Sequence, residues 1–93
     1  MIVRFHIDPV AGVRFEYRVS HEGEELYADD GLDSIEACIV AATEGLGQDA
    51  VAAEVAYKGV ISGTYALASL ALASAQIADH ALQTTTAIEE VCR

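Results

Sequence analysis

Val3, Phe5 and Ile7 alternate with Arg4, His6 and Asp8, the two-residue period of a strand that buries one face. Val13, Phe15, Tyr17 and Val19 repeat it against Arg14, Glu16, Arg18 and Ser20. Between the runs, Asp8-Pro9-Val10-Ala11-Gly12 carries turn chemistry, with a fixed φ at Pro9 and a permissive Gly12. A hairpin is predicted. If its pairing is symmetric about that loop, Arg4 faces Glu16 on the outer side, a pair that sets register more than stability. A second turn at His21-Glu22-Gly23 leads to a short third strand over 24–28, carried by Leu26 and Tyr27.

The period then changes. Residues 29–33 open a helix with Asp33 as N-cap and acids near its positive end. Ile35, Cys38, Ile39, Ala42 and Leu46 fall at helical spacing and form one buried stripe, and Gly45 and Gly47 end it. Val51, Ala53, Val55 and Tyr57 alternate again, giving a strand reached by a crossover. Residues 58–63 either extend that strand past a bulge or turn back as a short hairpin. From Thr64 as N-cap the chain reads as helix to Cys92, with Leu67, Leu70, Ser74, Ile77, Ala81, Thr84, Ile88 and Val91 on one side and Gln76, Asp79, Gln83 and Glu90 opposite. A continuous helix of that length spans about 40 Å, against a radius of gyration of roughly 12 Å for a chain this size. It must overhang, break or find a partner, and Ser74-Ala75-Gln76 is the expected break. Leu72 and Leu82, set among alanines, form a candidate dimer face, although isolated surface leucines are also common.

These elements give one α+β domain over residues 1–93: a hairpin or three-stranded meander, a crossover helix, a further strand and a long C-terminal helix on one sheet face. The chain has 93 residues and a net charge of -10 from 15 acids and 5 bases, yet is 53% hydrophobic. Five bases are too few to neutralise a nucleic-acid backbone, and an anionic membrane surface is disfavoured for the same reason. Residues 59–78 carry no charge, but glycines, serines, Gln76 and the lack of a flanking basic cluster argue against a membrane span. The first residues show no charged region followed by an apolar one, so the expected compartment is the cytoplasm. Cys38 and Cys92 are too few for a disulfide framework or a zinc site. Cys38 belongs to the buried stripe, and Cys92 is expected at an exposed end.

The acids are unevenly placed. Residues 1–20 are faintly basic, whereas residues 21–36 hold Glu22, Glu24, Glu25, Asp29, Asp30, Asp33 and Glu36 with no base. Such a window either steers a basic partner or merely keeps an apolar domain in solution. Its spacing matches no calcium loop. Gly45-Leu46-Gly47-Gln48-Asp49-Ala50 spells a dinucleotide fingerprint but follows a helix instead of opening one, where carbonyls repel phosphate. His6 with Asp8, and Asp79 with His80, are pairs without a third ligand. G-x-S-x-G, H-E-x-x-H and P-loop motifs are absent. No catalytic, cofactor or metal residue is therefore assigned.

Asp30-Gly31 followed by the helix-forming run at 34–46, after a hairpin, resembles the strand-to-helix segment of HicB-type antitoxins over about 15 residues. The Phe-Pro-Asp-Leu-Pro-Gly-Cys type run that precedes the helix in that family is missing. Two functional expectations result: a non-enzymatic, homodimeric interaction domain using the C-terminal helix or a sheet edge, and an acidic inhibitor or antitoxin-like protein that masks a basic, nucleic-acid-binding partner through residues 21–36.

Overall fold

A computed structural model describes residues 1–10 and 12–91. Cys92, expected at an exposed end, lies outside them. The chain is α+β, with five strands in one mixed sheet of order β3-β2-β1-β4-β5. The strands are β1 (Ile2–Pro9), β2 (Phe15–His21), β3 (Glu24–Leu32), β4 (Ala52–Tyr57) and β5 (Val60–Ala66). Three helices, α1 (Ile35–Glu44), α2 (Leu67–Leu72) and α3 (Ser74–Val91), complete the fold. β1 pairs antiparallel with β2 and parallel with β4. A parallel pair requires a crossover, and α1 supplies it.

The period-2 pattern sets which side of the sheet is covered. Val3, Phe5 and Ile7 of β1, Tyr17 and Val19 of β2, and Ala53, Val55 and Tyr57 of β4 are buried on the covered side. The helices close over them with Ile35, Cys38, Ile39, Ala42, Leu70, Ile77, Ala78 and Ala81 in one cluster. Full burial of a Phe, Ile or Leu side chain contributes about 1.5–3 kcal/mol. Phe5, Ile7, Ile39 and Leu70 are the largest side chains with almost no exposure, so the middle of the sheet and the α1 stripe carry most of the driving force.

The predicted first-hairpin register is corrected. Arg4 stands opposite Ser20, and Asp8 opposite Glu16. Alternation is blind to a slip that keeps the same face inward; the loop decides. It is closed by the Val10 N–H donating to the Arg14 carbonyl at 2.9 Å, and Val13 projects from it 83% exposed. β3 runs on to Leu32, so residues 29–32 extend the sheet instead of opening a helix. Ser34, not Asp33, caps α1: its Oγ accepts the Ala37 N–H at 3.0 Å. The Asp33 carboxylate pairs with Arg14.

Of the two courses open to residues 58–63 the reversing hairpin holds, and the correction concerns residues 64–66: the strand runs on to Ala66, and helix begins at Leu67 rather than Thr64. Lys58 (φ 54°) and Gly59 (φ 82°) are both left-handed, the conformation of a two-residue hairpin turn that matches strand twist. Gly59 takes that angle without a Cβ penalty. Once the chain reverses there, β-branched Val60, Ile61 and Thr64 suit the strand, and the outer side of β4 gains a partner. Ala66 precedes α2 without any side-chain cap, and the Leu67 N–H donates to Val51 instead.

The helical run breaks at Ala73, one residue before the predicted site. Leu70, Ser74, Ile77 and Ala81 keep the buried side, but Thr85 replaces Thr84 on it, and Ile88 and Val91 are exposed. The Thr85 hydroxyl donates to the Tyr57 carbonyl at the end of β4 at 3.1 Å. Beyond that point α3 overhangs the sheet, tethered by Lys58 to Glu89 at 2.7 Å. Among the described residues no helix is long and apolar enough to cross a membrane.

Candidate functional site

All helices lie on one side, so the other side of the sheet is open, and alternation fills it with polar groups. Adjacent strands bring Arg4 and His6 of β1, Arg18 and Ser20 of β2 and Glu54 of β4 together. With Glu22, Gly23 and Glu25 they line a depression of about 300 Å³. His6 Nε2 and Ser20 Oγ share a hydrogen bond at 2.8 Å. One guanidinium nitrogen of Arg4 reaches Glu54 Oε1 at 3.4 Å, while its Nε is enclosed without a partner. Arg18 makes no ion pair among the described residues.

His6 is held below its ordinary pKa of 6.5, first by burial and then by the Arg18 and Arg4 guanidiniums, against the opposing pull of Asp8. At neutral pH the imidazole is therefore uncharged, able to accept the Ser20 proton or donate one to it. That is the first half of a nucleophile and base arrangement. A group hydrogen-bonded to the other ring nitrogen, which would orient the base, is absent among the described residues. The cluster is a mixed-charge spot, with the Arg4 and Arg18 guanidiniums set against the Glu22, Glu25 and Glu54 carboxylates.

The seven acids of the predicted window do not form one surface. Glu22 and Glu25 rim the depression, and Asp29 and Asp30 lie further along β3 beside Arg18 and Tyr17. Glu24 starts the same strand. Asp33 is engaged by Arg14, and Glu36 accepts the Ser74 hydroxyl at 3.4 Å on the helix side. Five acids thus follow one sheet edge and its turn, and two serve intramolecular contacts.

Leu72 and Leu82, the candidate dimer face, sit on different helices either side of the Ala73 break. Leu72 is 88% exposed. Leu82 lines a shallow apolar groove with Phe15, Ile35, Ala75 and Ala78. Asp79 and His80 point to separate partners: Gln83 donates to Asp79, and His80 lies 3.5 Å from the Thr84 hydroxyl. Cys38 is enclosed under the sheet, and burial pushes its thiol up to about 11. The glycine-rich segment follows the C-terminus of α1 and precedes β4, as expected.

Ser20, Arg18 and Glu54 were legible as outward positions of their strands, but the symmetric hairpin put Glu16 beside Arg4 and so hid the His6–Ser20 contact. The β5 edge was also missed, although the hairpin alternative at residues 58–63 was its signal.

No protein-family model matches this chain, and neither a curated protein nor a solved structure matches it. The likeness of residues 30–46 to HicB-type antitoxins therefore has no family match beside it.

Proposed function

We propose that this chain is a non-enzymatic cytoplasmic interaction domain that works as a homodimer. The observation that carries the reading is the segregation of charge. The uncharged residues 59–78 form β5, α2 and the first turn of α3, while four of the seven acids line β3 at the opposite edge of the sheet. Two copies, each at -10, repel through most orientations. They approach without that penalty only through the neutral end, where Ile61 and Leu72 are exposed. Sedimentation velocity over a hundredfold concentration range tests this. A rise from one to two chains per particle is expected; a strict monomer at the highest concentration removes the reading.

The acidic β3 edge supports a second reading, in which Glu22, Glu24, Glu25, Asp29 and Asp30 dock a basic protein surface. Reversing Glu24, Glu25, Asp29 and Asp30 to Lys is expected to abolish salt-sensitive binding to an immobilised basic protein and to leave thermal stability nearly unchanged. Binding that survives the reversal removes this second reading.

A further inference from the structure

Resting on the homodimer reading, we infer that the dimer contact is β5 itself, paired antiparallel with β5 of a second copy, so that two five-stranded sheets become one of ten strands. An edge strand presents a row of N–H and C=O groups with no partner, and sheets blunt such edges with charge, proline, short length or a bulge. Both edge strands are bulged, and the two edges differ in charge. β3 carries Glu24, Glu25, Asp29 and Asp30 in nine residues. β5 runs Val60-Ile61-Ser62-Gly63-Thr64-Tyr65-Ala66 with no charge and no proline over seven residues.

β5 carries a bulge at Ser62, the extra residue between Ile61 opposite Ala56 and Gly63 opposite Val55, and beyond it Gly63, Thr64, Tyr65 and Ala66 pair regularly with β4. Among the described residues no element flanks β5 on its far side in the sheet.

A second copy is the occupant that fits. An antiparallel strand pair has two-fold symmetry, so one sequence satisfies both sides of an isologous contact. A strand from an unrelated protein would need no such symmetry, and this edge offers no charge or deep pocket to select one. The charges closest to the edge along the chain are already offset: Lys58 at the turn is bound by Glu89, and Glu54 on β4 by Arg4. Pairing of backbones therefore brings no bare acids together. Single-strand contacts bury less than the roughly 1,600 Å² of a standard interface, so the dimer is concentration-dependent.

The test combines a variant and an exchange measurement. In Ile61→Lys/Thr64→Lys both substitutions fall on exposed side chains, and like charges facing across strands oppose pairing. Sedimentation is expected to show at least tenfold weaker dimerisation with unchanged circular dichroism, while Leu72→Glu dimerises as the parent does. In the parent chain, amide exchange of β5 is expected to slow as concentration rises, with β3 amides unaffected. If Ile61→Lys/Thr64→Lys leaves dimerisation intact, or β5 amides exchange at one rate in monomer and dimer, the edge assignment is overturned while self-association stands. A dimer broken by Leu72→Glu alone moves the contact to α2. A monomeric parent chain overturns both. Should the lysine variant fail to fold, the exchange of the parent chain decides by itself.

Discussion

Gly45 marks where the acidic edge strand is fastened to the helix layer, and Gly45→Ala tests that fastening. Gly45 has φ -81° and ψ -7°, an ordinary right-handed conformation in which alanine normally stabilises by about 0.4–1 kcal/mol. Here the missing Cβ makes room for Tyr27. A Cβ at this position would lie 2.8 Å from Cε2 of the ring and 2.9 Å from Cζ. Ordinary carbon contacts begin near 3.5 Å, so the ring must retreat by roughly 0.7 Å. It has little freedom, because its hydroxyl donates to the Ala42 carbonyl and its ring packs edge-on against Tyr17 at 6.3 Å. Overpacking of this kind costs about 1–3 kcal/mol, which exceeds the gain from alanine.

Gly45→Ala is therefore expected to destabilise by about 1–2 kcal/mol, and in a Tyr27→Val background to stabilise by about 0.5–1 kcal/mol. The coupling of about 1.5–3 kcal/mol lies at the upper end of the range for residues in contact. Equilibrium urea unfolding followed by far-ultraviolet circular dichroism measures all four members of the cycle. Stabilisation by Gly45→Ala in the parent chain, or the same effect in both backgrounds, would refute the argument. Amide exchange should also speed up along β3 in Gly45→Ala, because Tyr27 ties that strand to α1.

Further outcomes follow from burial and charge. Leu70→Ala empties a fully buried site and should cost about 2–5 kcal/mol, whereas Leu72→Ala should fall within about 0.5 kcal/mol of the parent; paired melts compare them. Thr85→Val removes the hydroxyl bonded to Tyr57 and is expected to cost about 1 kcal/mol in urea unfolding. Because the His6 pKa is lowered in the folded state, the unfolded chain takes up the proton first as pH falls. Stability from this group is complete above about 6.5 and is lost as pH drops through the folded value; His6→Gln should flatten that part of the stability profile. In a Cys92→Ser background, Cys38, raised to about 11 and enclosed, should react with a thiol reagent only as fast as the protein opens.

Much of the architecture followed from short-range pattern. The α1 stripe of Ile35, Cys38, Ile39 and Ala42 is buried as its spacing required, and the crossover to a parallel β4 followed from a strand after a helix. The candidate site was only half legible. His6 stood out with Asp8 on the outer side of β1, but its partner Ser20 belongs to another strand and is brought there by register. Residues 64–66 are strand where their pattern predicts helix, because a short run satisfies either period and the alanine-rich continuation favours helix. The seven acids form one window along the chain, yet only five follow the β3 edge and its turn, while Asp33 and Glu36 are drawn into contacts with Arg14 and Ser74.

The sequence by itself determined which side chains face inward along β1 and α1 and in the middle of β2 and β4, because the periods of strand and helix are properties of the backbone and need no partner. At residues 58–63 it left two courses open, and the left-handed torsions of Lys58 and Gly59 select the reversal. Tertiary structure decided what each outward face meets. Arg4 finds Glu54 across a parallel pair, His6 finds Ser20 across a hairpin, and residues 60–66 become strand because β4 had backbone groups to satisfy. Those outcomes rest on loop closure and on contacts between residues far apart in the chain, where alternation allows several registers and only the assembled sheet selects one.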